Sequence, residues 1–163
     1  MESIISVSYS EQFLREAIRL SNEKMTAGEG GPFGAVIVKD GEIVGRGWNR
    51  VTSANDPTAH AEMEAIRDAC ANLNAFSLVG CEIYASCEPC PMCLAAIYWA
   101  RLDALYFAGS REDAAGAGFD DALLYQEMSK EWVARKLAAE QHLQPDAQAV
   151  FEAWKSRPDR IDY

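Results

Sequence analysis

Phe33-Gly34-Ala35-Val36-Ile37-Val38, Asp40-Gly41 and Glu42 to Trp48 read in succession as a strand, a tight turn and a returning strand. Asp-Gly between two apolar runs is a strong two-residue hairpin signal. Working upstream, Phe13, Leu14, Ala17, Ile18 and Ser21 recur at helical spacing. That helix is expected to start at Ser8, with Glu11 completing a capping box, and to fade by Met25. Gly28-Glu29-Gly30-Gly31-Pro32 then forms a loop. Downstream, Asn49 to Pro57 reads as irregular. Asp56-Pro57 suggests a helix start, an N-cap with Pro at the first position, and the helix runs to about Ala71. A strand over Glu82 to Ser86, a helix from Pro91 to Ala100 and a strand over Ala104 to Ala108 follow. This alternation predicts a sheet covered by helices.

Beyond Ala108 the pattern weakens. Gly109 to Gly118 is small in character and reads as a loop. Leu123 to Met128 and Glu131 to Ala139 look helical, and a further strand between Arg135 and His142 is left open. Pro145 to Lys155 reads as a last helix with Val150, Phe151 and Trp154 on one face. Arg157 to Tyr163 has no regular pattern.

The chain has 163 residues, 49% hydrophobic and 25% charged, which fits one globular domain. A chain of this length buries roughly 70% of its unfolded surface and needs no disulfides. No apolar run approaches the roughly 20 residues that span a bilayer. Met1-Glu2-Ser3-Ile4-Ile5 lacks the basic flank and apolar core of a signal peptide, so the cytoplasm is expected. The net charge is −10, and the Lys and Arg residues are scattered. A nucleic-acid partner needs a basic patch to displace counterions, so a small neutral substrate is favoured.

Chemistry concentrates in His60-Ala61-Glu62 and Pro89-Cys90-Pro91-Met92-Cys93. One imidazole and two thiolates, from His60, Cys90 and Cys93, supply three ligands to a tetrahedral zinc ion (Zn²⁺). Three protein ligands leave a fourth position open for water, whereas structural zinc sites are closed by four. Cys87, three residues before Cys90, is a conceivable fourth ligand. Cys70 and Cys81 read as small buried apolar residues, and His142 as a surface residue near a helix end. His60 and Glu62 are two apart, which on a helix points them to different sides. They converge only if the metal lies at the helix end. Cys90 and Cys93 share a face in the first turn of the next helix, whose N-terminal amides stabilise thiolates. An open zinc position lowers the pKa of water toward about 7. Glu62 can then take the water proton, pass it to a ring nitrogen and help ammonia leave.

The order H-x-E then P-C-x-x-C is the signature of zinc-dependent nucleobase deaminases. The chain resembles the cytidine deaminase superfamily at these residues. Longer strings resemble the bacterial guanine deaminase family within it: Gly31 to Ala35, Asn55 to Glu62, Ser86 to Leu94, Ala96 to Arg101, Ala117 to Asp121, and a terminal tyrosine. The resemblance implies a three-layer α/β/α fold with a five-stranded mixed sheet. It also implies one deaminase domain over residues 1–163, in a homodimer whose exchanged tails, residues 144–163, cap the partner's active site. By position, His60, Cys90 and Cys93 bind zinc and Glu62 shuttles protons. Asn49 hydrogen-bonds the purine, Asp121 meets its amino and ring N–H edge, and Tyr163 arrives from the capping tail. Phe33, Trp99 and Phe119 are candidates for packing the base.

A carboxylate accepts from two donors at once, and guanine's N1–H and amine offer that pair. This agrees with the reaction that the resemblance implies, hydrolysis of guanine to xanthine and ammonia. Guanosine deamination, tRNA adenosine deamination (disfavoured by the acidic charge) and a catalytically idle zinc module are the competing readings.

Overall fold

The computed structural model describes residues 8–163, so the Met1–Ile5 reading lies outside the described residues. The chain divides into two compact units, Met1–Asp121 and Ala122–Tyr163.

In the first unit, β1 (Gly34–Lys39) and β2 (Glu42–Trp48) form the expected hairpin. Asp40 and Gly41 turn it with φ of 51° and 78°, the paired positive values of the turn that matches strand twist. β3 (Cys81–Cys87) and β4 (Ala104–Gly109) complete a sheet of order β2-β1-β3-β4. β1 is antiparallel to both neighbours, while β3 and β4 are parallel. The sheet is therefore mixed, as expected, but has four strands rather than five. The segment considered for a fifth, residues 135–142, holds no strand. Its sequence, Arg-Lys-Leu-Ala-Ala-Glu-Gln-His, has no apolar alternation with which to join a sheet face.

Alternation along β1 separates two cores. Ala35 and Ile37 face one way, into a cluster with Ala61, Ala65, Ala69, Leu78, Ile83 and Ile97. Val36 and Val38 face the other, with Leu20 and Tyr84. The second core is covered by α1 (Glu11–Thr26), the first by α3 (Ala61–Leu73) and α4 (Pro91–Trp99). This gives the α/β/α layering. Cys81 is fully buried and Cys70 packs against the same core, as small apolar residues do.

The contact between α3 and β2 is unusually close. Ala61, Ala65 and Ala69 lie four apart on one helix face. They meet Gly45 and Gly47 on β2. A Cβ on Gly47 would stand 2.1 Å from the Ala61 carbonyl oxygen, and one on Gly45 would stand 2.7 Å from that of Ala65. Small residues on both sides let backbone rest on backbone. That contact fixes the start of α3 beside the end of β2.

Several boundaries differ from the sequence reading. α1 begins at Glu11, not Ser8. Its N-cap Ser10 is extended, makes no side-chain cap, and donates its N–H to the Tyr84 hydroxyl at 3.2 Å. α3 begins after His60, not at Pro57. Asp56 instead folds an Asx turn, its Oδ1 accepting from the Thr58 N–H and hydroxyl at 2.8 and 2.7 Å. The loop before it contains a short helix, α2 (Val51–Ala54), ended by Asn55 at φ 50°. After β4 comes α5 (Arg111–Gly116), in a segment read as a loop. Ser110 and Asp113 form its capping box.

The second unit contains α6 (Ala122–Met128), a 3₁₀ turn at Trp132–Ala134 and α7 (Gln144–Lys155). The helix expected over Glu131 to Ala139 is reduced to that single turn. Glu127 accepts the Lys136 N–H at 2.6 Å and the Lys130 carbonyl accepts from Arg135, which draws the chain away from a helical path. Within the described residues no helix is long and apolar enough to cross a membrane.

Candidate active site

One end of the sheet gathers the chemistry. β2 ends there at Trp48, β1 begins there at Gly34, and β3 and β4 finish there at Cys87 and Gly109. Ligands of open α/β sheets bind at such strand ends. α3 and α4 both start at this end. His60 is the N-cap of α3 and Cys90 the N-cap of α4, each with extended backbone.

That placement resolves the spacing problem. His60 is not yet helical, so its ring is free of the helical rule that would turn it away from Glu62. The Cys90 and Cys93 sulfurs lie 3.6 and 3.5 Å from His60 Nδ1. Zn–S bonds of about 2.3 Å and Zn–N bonds of about 2.0–2.1 Å, at the tetrahedral angle, place sulfur about 3.6 Å from nitrogen. Both sulfur–nitrogen distances match that spacing, and the three donor atoms form one metal-competent group among the described residues. Cys87 is not in it. Its thiol points to the Ser110 carbonyl at 3.5 Å, and burial raises its pKa. The fourth position is thus left to solvent or substrate.

The neighbouring Cys93 thiol lowers the Cys90 pKa to about 4, and Cys90 together with burial raises that of Cys93. Cys90 in turn raises His60. The site already favours one thiolate at a helix N-terminus, as a metal ligand needs. Glu62, in the first turn of α3, is 8% exposed. Burial is the main cause that pushes its carboxyl up.

Asn49 follows β2 and is buried. Its Oδ1 accepts from the Gly31 and Val51 N–H groups at 3.1 and 3.2 Å. Flipping this amide would set NH₂ against two donors, so its orientation is fixed. Its main chain donates to the Phe33 carbonyl at 3.1 Å. The Phe33 and Phe119 rings meet edge to face at 4.9 Å. Asp121 Oδ1 lies 3.4 Å from Arg111 Nε.

Trp99 stands apart from these. It is 66% exposed at the far end of α4, about 13 Å along the helix axis from Cys90. Tyr163 is the exposed last residue of the second unit. His142 lies just before α7, is exposed, and pairs with Glu140 at 2.9 Å. Sequence reasoning missed the part played by Gly30 and Gly31. A Cβ on Gly30 would come within 2.0 Å of the Asn49 carbonyl oxygen, so this loop lies on Asn49 itself. The adjacent glycines were the available signal for such a close approach.

Residues 7–109 match the family described as the cytidine and deoxycytidylate deaminase zinc-binding region. The chain is 50% identical over 153 residues to guanine deaminase of Bacillus subtilis, covering 94% of this chain and 98% of that protein. It superposes on the crystal structure of that enzyme with a TM-score of 0.92 at 49% identity, over 96% and 99% of the two chains. A solved guanine deaminase from Nitrosomonas europaea matches at TM-score 0.66 and 31% identity, over 71% and 67%. A tRNA-specific adenosine deaminase of Aquifex aeolicus is 46% identical over 98 residues, covering 60% of this chain and 64% of that protein. The match of residues 7–109 to the family, and the likeness to one guanine deaminase along nearly all of both chains, show that the chain belongs to the cytidine and deoxycytidylate deaminase zinc-binding family.

Proposed function

We propose that this enzyme hydrolyses guanine to xanthine and ammonia. The observation that carries the reading is the likeness to a guanine deaminase along nearly all of both chains. The likeness to the Aquifex tRNA deaminase stops at under two thirds of either chain. The net charge of −10 also suits a small neutral base better than a polyanion.

His60, Cys90 and Cys93 would hold zinc, which would supply Lewis-acid activation of water. Glu62 takes a proton from the attacking water as its oxygen bonds to C2, and delivers the proton to N3. It then takes the remaining hydroxyl proton and gives it to the departing amine, which leaves as ammonia. One carboxyl can do both because it returns to its starting form after each transfer. Its burial raises its proton affinity toward the range a shuttle needs. The Asn49 amide, its orientation fixed by two backbone donors, holds an acceptor of the purine. Asp121 accepts from the N1–H and amine edge. Phe33 and Phe119, in edge-to-face contact with each other, pack against the base.

We also propose a homodimer in which each C-terminal tail, residues 144–163 including Tyr163, closes over the partner's site. Support comes from surface left uncovered in one chain. No residue of Ala122–Tyr163 is buried, although Val133, Leu143, Val150, Phe151 and Trp154 are among them. Apolar area of that extent marks an interaction surface. A reducing, cytoplasmic setting suits the unpaired cysteines.

Glu62→Gln tests the catalytic reading. It should keep the fold and one zinc per chain while ammonia release from guanine falls about 10²–10⁴-fold. Full turnover in that variant refutes the shuttle.

A further inference from the structure

Next to Asn49 lies a small polar cluster that the chemistry above does not use. Glu29 Oε2 accepts the Trp48 indole N–H at 2.6 Å. Its other oxygen meets Lys24 Nζ at 3.3 Å, and the same ammonium sits 4.2 Å from the centre of the Trp48 ring. The Glu29 carbonyl accepts from the Ser53 hydroxyl at 2.6 Å. One residue thus ties together the end of α1, the end of β2 and α2.

Neighbouring positions along the chain give the cluster its meaning. Trp48 immediately precedes Asn49. Gly30 and Gly31 immediately follow Glu29; the first lies against the Asn49 carbonyl, and the second donates its N–H to Asn49 Oδ1. The segments 29–31 and 48–49 are therefore joined three times. The Gly31 bond is one of the two that orient the Asn49 amide. Letting the 29–31 loop drift removes it and leaves Val51 as the other donor. An ordinary surface ion pair at this exposure would contribute little. A charged acceptor on an indole donor, with a cation stacked on the same ring, is a stronger and more directional arrangement.

We propose that Glu29 is a positioning residue for guanine recognition, holding the Asn49 amide in its fixed orientation through Trp48 and the Gly30-Gly31 turn. The inference rests on the reading above that Asn49 meets the purine. It locates the effect in binding. Asn49 grips the base in ground state and transition state alike, while Glu62 and the zinc ligands stand on α3 and α4 and make no contact with Glu29 in this cluster. Loss of such uniform binding raises KM and spares kcat.

The test is steady-state guanine kinetics on zinc-loaded enzyme, using Glu29→Ala, Glu29→Gln, Trp48→Phe, Asn49→Ala and the Glu29→Ala/Asn49→Ala pair. Zinc content and melting temperature are measured for each. Glu29→Ala and Trp48→Phe should raise KM roughly tenfold with kcat within about twofold. Glu29→Gln keeps an acceptor for the indole and should stay within about threefold of native KM. On the Asn49→Ala background, Glu29→Ala should add nothing. An unchanged KM in both Glu29→Ala and Trp48→Phe overturns the proposal, and so does a full additional KM effect on the Asn49→Ala background. If Glu29→Ala folds poorly, the contrast between Trp48→Phe and Glu29→Gln decides. A native KM in Asn49→Ala alone refutes the recognition role of Asn49, a failure read from a different variant.

Discussion

Gly47→Ala tests whether the metal site is set by the packing of α3 on β2. The added Cβ would stand 2.1 Å from the Ala61 carbonyl oxygen and 2.3 Å from the Ala65 nitrogen. Both are main-chain atoms, so no side chain can rotate away. Opening the nearer contact to an ordinary 3.4 Å moves the start of α3 by at least about 1.3 Å. His60 immediately precedes Ala61, so its ring moves too. Ligand distances in a metal site tolerate about 0.2 Å. The 3.5–3.6 Å spacing between His60 and the two sulfurs cannot survive such a shift unaided. Overpacking of this kind costs about 1–3 kcal/mol, and in a chain of this size each kcal/mol lowers Tm by roughly 2–4 °C. The expected variant melts roughly 5 °C lower and retains well under one zinc per chain after dialysis. Gly116→Ala is the control: a Cβ there meets nothing within 4 Å, and helix propensity gains up to about 1 kcal/mol. Native Tm and full zinc in Gly47→Ala would show that the close contact does not position the site.

Two further outcomes separate near neighbours. Cys87→Ser should retain one zinc per chain and most of its activity, because the Cys87 thiol points at Ser110. Cys90→Ser should lose zinc; metal analysis on both variants checks this, and equal zinc loss would return Cys87 to the ligand set. Removing Arg157 to Tyr163 should leave the zinc content unchanged while raising KM for guanine at least about tenfold. Unchanged kinetics would remove the tail from the site.

What was legible in the sequence depended on how local its cause was. The Asp40-Gly41 turn and the β1–β2 pairing rest on adjacent residues, and β2 was read at its observed limits. The zinc donors were legible because metal chemistry demands particular residue types at short spacing. The start of α3 was misplaced because Asp56 and Pro57 suit two local structures, a helix cap and an Asx turn. The choice between them is made by packing, which sets His60 at the helix end. The Ser110/Asp113 capping box lies among small residues whose lack of an apolar face leaves α5 without a helical period to mark it. The missing fifth strand and the absent helix after Glu131 lie in the second unit, where no residue is buried within one chain. Hydrophobic patterning is informative only where a face is buried in the chain being read. The Lys24–Glu29–Trp48 cluster joins side chains up to 24 positions apart and leaves no local pattern.

On the proposed reading, reaction and substrate are governed by different parts of the molecule. His60, Glu62, Cys90 and Cys93 are set by the first turns of α3 and α4, which rest on a core of alanines and glycines that tolerates little change. In the proposed mechanism those four residues specify replacement of an amine by water, whatever ring carries the amine. Asn49, Phe33, Phe119 and Asp121 lie on loops at the same sheet end, held by hydrogen bonds, ring contacts and an ion pair rather than by backbone packing. Loops change at small cost to the fold, so one scaffold can keep the chemistry while its base preference moves. This explains how the Aquifex tRNA deaminase can be 46% identical over about three fifths of the chain and yet act on a different base. It also locates the decisive measurements of specificity: variants of the loop residues compared on guanine, guanosine and adenine, with zinc content held equal. A base preference that moved with α3 or α4 substitutions instead would contradict this division.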